Sequence, residues 1–359
     1  MGQLRGVTLH RIVLPFRRQF ISAHGIEIAK HATIVEVTTD DATGWSECSA
    51  LRRPTYSSEY ADGAFAILRD ELVPAAIAGC ASDVVGHPFA KAALEHALLD
   101  ANLRAENISL ATYLGVERPS VPAGVALGLT RDLAALIDDV AACVAEGYQR
   151  VKLKIAPGWD VVPVRAVRLA FPHLDLHVDA NSAYTRDDAD LLATLDPFTL
   201  QMIEQPLAAE DLEGHAVLAS RIATPICLDE SIASARSCIR ALDLGSCRVV
   251  NLKPGRVGGV SEAIRIHDLC VARGVPLWCG GMFETGIGRA LNVAIAALPG
   301  FTLTGDLSAS QRFFDVDITD PFVLTDGRLR VPTGPGIGVA IDTNQLRSCT
   351  IGSVTLRRD

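Results

Sequence analysis

Between residues 121 and 310, short apolar runs bounded by turn residues alternate with longer amphipathic stretches. The runs VKLKIA (151–156), LDLHVDA (174–180), TLQMIEQP (199–206), PICLDE (225–230) and CRVVNLKP (247–254) are rich in strand-forming residues. VPAGVALGL precedes them, and PLWCGG (276–281) and FTLTGDL (301–307) follow, completing a set of eight. Continuous apolar runs mark strands buried on both faces, as in a parallel sheet covered by helices. The segments between them, such as RDLAALIDDVAACVAEG and SEAIRIHDLCVARG, carry apolar residues at helical spacing. Eight strand–helix units predict a (β/α)8-type barrel, in which functional residues gather at the C-terminal strand ends.

Five charged residues sit at or near those ends: Lys154, Asp179, Glu204, Asp229 and Lys253. Their separations are 25, 25, 25 and 24 residues, the length of one strand–helix unit. In an eight-strand barrel the second and sixth strands lie across from each other. Lys154 and Lys253 therefore face one another, with the three carboxylates on the arc between them. Three converging carboxylates repel one another, and unpaired buried charge costs several kcal/mol per ion. A hard divalent cation relieves that cost, so the triad predicts Mg2+, with Mn2+ as a substitute.

A cation flanked by two amines suits removal of a proton beside a carboxylate, where the enediolate intermediate carries two negative charges. An amine must be neutral to act as base, so its pKa has to fall from ~10.4 toward ~7 or 8, roughly 3 to 5 kcal/mol. Lys152 lies two residues before Lys154 on the same strand face, and its charge would push Lys154 in that direction.

The KxK strand (Lys152 to Lys154), the DAN triplet (Asp179 to Asn181), EQP (Glu204 to Pro206), the Asp229–Glu230 pair and KPGRVGG (Lys253 to Gly259) resemble the muconate-lactonizing subgroup of the enolase superfamily. CGGMFETGIGRALN (279–292), TGDLSAS (304–310), GPGIGV (334–339) and PTYSSEYADGA (54–64) are similar to its o-succinylbenzoate synthase and N-succinylamino acid racemase branch. The match spans nearly the whole chain. The resemblance implies a modified (β/α)7β TIM-type barrel over 119–310 and an α+β capping domain over 1–118. Residues 311–359 would return to the cap, with PFVLTDGRLRVPTG as a strand, an Asp-Gly turn and a second strand. Cap loops at Phe20 to Gly25 and Ala50 to Pro54 would close over the mouth and exclude water.

The same resemblance makes Lys154 the acid/base on one face of a small carboxylate substrate and Asp179, Glu204 and Asp229 the Mg2+ ligands. Lys253 stabilises the enediolate in the synthase reaction or serves as the second acid/base in the racemase reaction. The synthase, by syn dehydration in menaquinone biosynthesis, is the leading expectation; the racemase is the alternative, and both activities in one protein are allowed. Dipeptide epimerases match less well, because their strand-eight DxD is absent where Asp306 is followed by Leu307 and Ser308. Muconate cycloisomerase is also a weaker match. A Schiff-base aldolase using Lys253 would leave the carboxylate triad without a role.

Further substrate or supporting contacts are expected from Lys152, Asn181, Arg256, Gly281, Met282 and Phe20. The backbone N–H groups of Gly280, Gly281 and Met282 are candidate substrate donors. Strand alternation turns Glu230 away from Asp229 unless the strand has already ended, which leaves it a supporting role at best. His177 reads as a hydrogen-bonded core histidine rather than a metal ligand. Arg52 and Arg53 either attract a second substrate carboxylate or are solvated.

Composition fits this picture. The 359 residues are 49% hydrophobic and 21% charged, enough for two domains and a large core. A net charge of −9 and no long basic run argue against nucleic-acid binding. The nine cysteines form no CxxC pair and read as reduced core residues of a cytoplasmic protein. No apolar run reaches membrane-spanning length. A homo-oligomer is expected.

Overall fold

The computed structural model describes residues 2–358. The chain opens with β1 (Leu4–Ser22), β2 (Gly25–Thr39) and β3 (Thr43–Cys48), which pair antiparallel. Two short strands at the barrel entrance are β4 (Ser120–Pro122) and β5 (Gly124–Leu127). The barrel continues through β6 (Arg150–Lys154), β7 (Asp175–Asp179), β8 (Ile203–Glu204), β9 (Ile226–Leu228), β10 (Val249–Leu252) and β11 (Leu277–Cys279). Two further strands, β12 (Arg328–Arg330) and β13 (Thr350–Arg357), lie near the end of the chain.

Strands β5 to β11 form one parallel sheet of seven, each beside its sequence neighbour, with helices in the connections. The eighth expected strand, FTLTGDL, is not a continuous strand. It closes the ring through single parallel bridges, Leu277 to Phe301 on one side and Ala123 to Gly305 on the other. Only short backbone contacts remain there because the chain bends at Leu303 and Asp306, where the Asp306 side chain meets Arg150 and Lys152. The expected first strand is split: β4 pairs antiparallel with β12, and only β5 joins the barrel sheet. The turn at Asp326 and Gly327, both at positive φ, forms as expected. Its second arm pairs with β4 instead of the cap. The strand returning to the cap is β13, which pairs with β1.

Alternation places opposite faces of the cap sheet in two cores. Val7, Leu9, Val35 and Val37 pack toward the cap helices, while Ile12, Leu14, Ala32 and Ile34 join the barrel core. Burying each such side chain contributes roughly 1.5–3 kcal/mol. Polar ties fix the orientation. Buried Asp100, on the helix Pro88–Ala105, accepts from the N–H of Trp45 at 2.7 Å and of Ile337 at 2.6 Å. That second bond anchors GPGIGV, where a Cβ on Gly336 would fall 2.0 Å from Asp100 Oδ1. From the cap strands, Lys30 donates to the Met282 carbonyl at 2.8 Å, and Glu47 accepts from Thr285 N–H at 2.9 Å. The segment after β11 is thereby bonded to the cap. No helix is long and apolar enough to cross a membrane among the described residues. Seven cysteines are buried, Cys349 is half-buried and Cys80 is exposed, so the core reading fails for Cys80.

His96, buried on the same long helix, has no partner for Nε2, and burial lowers its pKa to about 3. The folded state therefore keeps it neutral while the unfolded chain takes up a proton below about 6.5. Its contribution is complete above that pH and declines as pH falls toward 3. At pH 5 the loss relative to pH 7 is about 2 kcal/mol. In urea denaturation His96→Leu should lose about 2 kcal/mol less than the wild type between pH 7 and 5. Equal losses in both proteins would remove His96 as a source of acid sensitivity.

Candidate active site

Register brings the charges together. Lys154 pairs with Asp179, and Asp179 with Glu204, on adjacent strands. Asp229 lies one residue beyond β9 and Lys253 one beyond β10. All three carboxylates are at most 1% exposed. Gln205 fixes the spacing between two of the strand ends. Its backbone adopts positive φ, and its side-chain oxygen accepts from the N–H of Asp229 at 2.9 Å and of Ser231 at 3.2 Å.

Each carboxylate is engaged by cations. Lys154 Nζ lies 2.6 Å from Asp179 Oδ2 and 2.6 Å from Asn181 Oδ1. Lys152 Nζ sits among Glu204 at 2.9 Å, Asp179 at 3.2 Å and Asp306. Lys253 Nζ lies 2.8 Å from Asp229 Oδ2, and Arg256 bonds Asp229 Oδ1. Burial works to raise the Asp179 pKa, yet Lys154 and Lys152 hold it well below the carboxylate range. Glu204 goes the other way: burial and the neighbouring Asp179 charge push it up to about 7. Burial works to lower Lys152, but Asp306, Glu204 and Asp179 keep it above its ordinary value. Lys152 is therefore held as a permanent cation. Lys253 is likewise raised against burial, by Tyr56, Glu204 and Glu230.

Among the described residues no group of three or more His, Cys, Asp or Glu side chains is drawn together as an ion-holding cluster. The donor chemistry nonetheless fits a hard divalent cation. Asp179, Glu204 and Asp229 offer only oxygen, and they are buried side by side at the ends of consecutive strands.

The remaining expected residues divide. Arg256 is buried and fixed by the carbonyls of Ile232 at 3.0 Å and Asn251 at 2.6 Å. Asn181 stands beside Lys154 in the left-handed backbone region. For Glu230 the exception to alternation holds: β9 ends at Leu228, so Glu230 is free to turn into the mouth. There it accepts from Asn181 Nδ2 at 3.3 Å and bonds His24 Nε2 at 3.0 Å. Met282 touches Lys253 through its sulfur at 3.6 Å. Its N–H is not available to substrate, because it donates to Glu284 at 2.7 Å, and Gly280 N–H donates to the Leu252 carbonyl at 3.1 Å. Gly280 allows close approach instead, since a Cβ there would fall 2.6 Å from Lys253 Cε. Gly281 is close-packed too, with a Cβ position 3.1 Å from the Asp306 carbonyl. Phe20 packs edge-on against Phe283 at 5.0 Å. It lines a cavity of about 1160 Å3 between β1 and the end of β5, which none of the five ring residues borders. His177 is buried with neither ring nitrogen bonded, which overturns its hydrogen-bonded reading; burial, Arg150 and Lys152 keep it neutral.

Several site residues escaped the sequence argument. Arg150, Lys152 and Lys154 alternate on one strand face, a signal that could have revealed Arg150, which bonds Asp306 at 2.6 Å. Asn251, two before Lys253, donates to Glu204 at 2.7 Å and was open to the same argument. Tyr56, within PTYSSEYADGA, and His24, within the Phe20 to Gly25 loop, arrive from cap segments already singled out, but no spacing marks either residue individually.

With this geometry in place, the relatives are informative. Residues 135–345 match the family model described as enolase C-terminal domain-like. The N-succinylamino acid racemase of Amycolatopsis sp is 53% identical over 351 residues, covering 94% of this chain and 95% of that one. The chain belongs to the o-succinylbenzoate synthase and N-succinylamino acid racemase family of the enolase superfamily. The o-succinylbenzoate synthase of Geobacillus stearothermophilus is 45% identical over 360 residues, covering 96% of this chain and 95% of its own. An enolase-superfamily member from Listeria innocua Clip11262 superposes with a TM-score of 0.94 at 39% identity, each chain covered completely. This family member is an enzyme with a (β/α)7β barrel and an α+β cap.

Proposed function

We propose that the enzyme abstracts the α-proton of a carboxylate substrate, by way of an enediolate, and racemises N-succinylamino acids. The observation that carries this reading is the pair of amines. Lys154 on β6 and Lys253 beyond β10 stand on opposite sides of the mouth, with β7, β8 and β9 between them. Two amines flanking one carbon suit removal of a proton from one face and delivery to the other. One must begin neutral and the other protonated. The surroundings that raise Lys253 suit it to begin as the acid. Lys154 takes the α-proton onto Nζ, and Lys253 gives its proton to the opposite face; in the reverse direction the roles exchange.

Asp179, Glu204 and Asp229 would hold Mg2+, or Mn2+ in its place. When bound, the ion supplies positive charge opposite the negative charge that grows on the substrate carboxylate as the proton leaves. Lys152 holds Glu204 and Asp179 in place as ligands, and Arg256 does so for Asp229. Calorimetric titration should show at least tenfold weaker Mg2+ binding in Glu204→Gln; unaltered affinity would contradict the ligand assignment.

The synthase reaction is the second reading, favoured by relatives of that name at 40–45% identity. There Lys154 removes the α-proton and then assists loss of hydroxide, while Lys253 remains cationic. Polarimetry on N-succinylphenylalanine and absorbance on succinyl-hydroxycyclohexadiene carboxylate, each with a chelator control, separate the two. Chelator-sensitive racemisation supports the first reading. Conversion of the diene alone would replace it with the second, and loss of neither activity on chelation would contradict both.

A further inference from the structure

The two lysines are tied to different loops of the cap. Lys154 Nζ donates to Asn181 Oδ1 at 2.6 Å, and Asn181 Nδ2 donates to Glu230 Oε1 at 3.3 Å. The same Glu230 oxygen lies 3.0 Å from Nε2 of His24, in the turn between β1 and β2. Lys253 Nζ donates to the Tyr56 hydroxyl at 3.2 Å, and Tyr56 in turn donates to Asp229 Oδ1 at 3.0 Å. The Lys253 ammonium also lies 4.6 Å from the centre of the Tyr56 ring. Glu230 and His24 are half-buried, their side chains 5% and 15% exposed, so these contacts are only partly open to water.

Asn181 explains how the first chain works. A side-chain amide has one acceptor end and one donor end. Glu230 is an acceptor, so it holds the NH2 end and leaves the carbonyl oxygen toward Lys154. Without Glu230 the amide is free to turn and present N–H to the amine, which repels the charged form and ties up the lone pair of the neutral form. His24 holds Glu230 in place. On the other side Tyr56 fixes Lys253 from above while Asp229 holds it from the barrel.

We infer that His24 and Tyr56, whose rings meet edge-on at 5.4 Å, are positioning residues, one for each lysine, so that each cap loop acts chiefly on one of the two half-reactions. This rests on the two-amine reading above. A misplacement of about 1 Å at a proton-transferring group lowers its rate on the order of 100-fold. A loss confined to one lysine therefore affects the substrate enantiomer whose α-hydrogen faces it.

The test measures α-hydrogen exchange of N-succinyl-L-phenylalanine and its D-enantiomer in D2O with Mg2+, followed separately by NMR at early times. In His24→Ala and Glu230→Ala, the ratio of the two exchange rates should shift at least fivefold in one direction. In Tyr56→Phe it should shift at least fivefold in the other. His24→Gln keeps a side-chain donor and should return the ratio toward the wild-type value. If the variants slow both enantiomers by the same factor, or shift the ratio in the same direction, the separate assignment is wrong and these residues act only on stability or closure. A wild-type protein that exchanges neither enantiomer would overturn the two-amine reading, and this inference with it.

Discussion

Lys154→Ala should lower turnover by three orders of magnitude or more in a protein that still folds. The side chain is 10% exposed, and its amine rests on Asp179 and Asn181. Removing it takes away one of the two cations beside Asp179, with Lys152 remaining, and no part of the apolar core. General acid–base groups contribute about 10²–10⁴-fold. Placement of the proton acceptor adds to that, which puts the expected loss at the upper end. The decline should appear equally in kcat and kcat/KM, because the amine acts in the transition state more than in binding. Steady-state kinetics beside a thermal melt checks it. Activity within tenfold of the wild type in a folded variant would remove Lys154 from the mechanism.

Lys152→Met should act mainly on stability. Its amine is the common cation of Glu204, Asp179 and Asp306, and all four side chains are at most 13% exposed. Breaking a buried ionic network by removing one partner costs about 3–5 kcal/mol, since it leaves buried charge uncompensated. Glu204 already holds its proton to about pH 7 through burial and Asp179. Without the lysine it would hold it higher still. Protonation of the carboxylates then relieves the repulsion, so the deficit should be largest near pH 8 and shrink toward pH 5. Urea denaturation at both pH values reads this out. A deficit below about 1 kcal/mol at pH 8 would mean that Lys152 is not the cation holding these carboxylates.

Much of the ring was legible because its spacing is a property of the chain itself. One strand and one helix take about 25 residues, so Lys154, Asp179, Glu204, Asp229 and Lys253 declare themselves by interval. Apolar runs located the strands, although β8 contracted to two residues and the eighth to single bridges. Alternation did not reach Glu230, because the rule holds only while a strand continues and β9 had already ended. It also would have found Arg150 and Asn251, had it been carried two residues further along their strands. His24 and Tyr56 lie 206 and 173 residues from Glu230 and Asp229. No local pattern encodes such contacts; they follow from how the cap sits on the barrel. Met282 shows the converse. Its place among the site contacts was readable, but the loss of its N–H to Glu284 was not.

The central claim is that this barrel removes an α-proton from a carboxylate with a divalent cation at its three carboxylates. Deuterium incorporation at the α-carbon of N-succinylphenylalanine in D2O, measured by NMR with Mg2+ and again after chelation, tests it most directly. The account predicts incorporation from both enantiomers with Mg2+ and its loss on chelation, restored when the ion is returned. Incorporation that persists in the metal-stripped protein, or none from either enantiomer in the Mg2+-loaded protein, would contradict it.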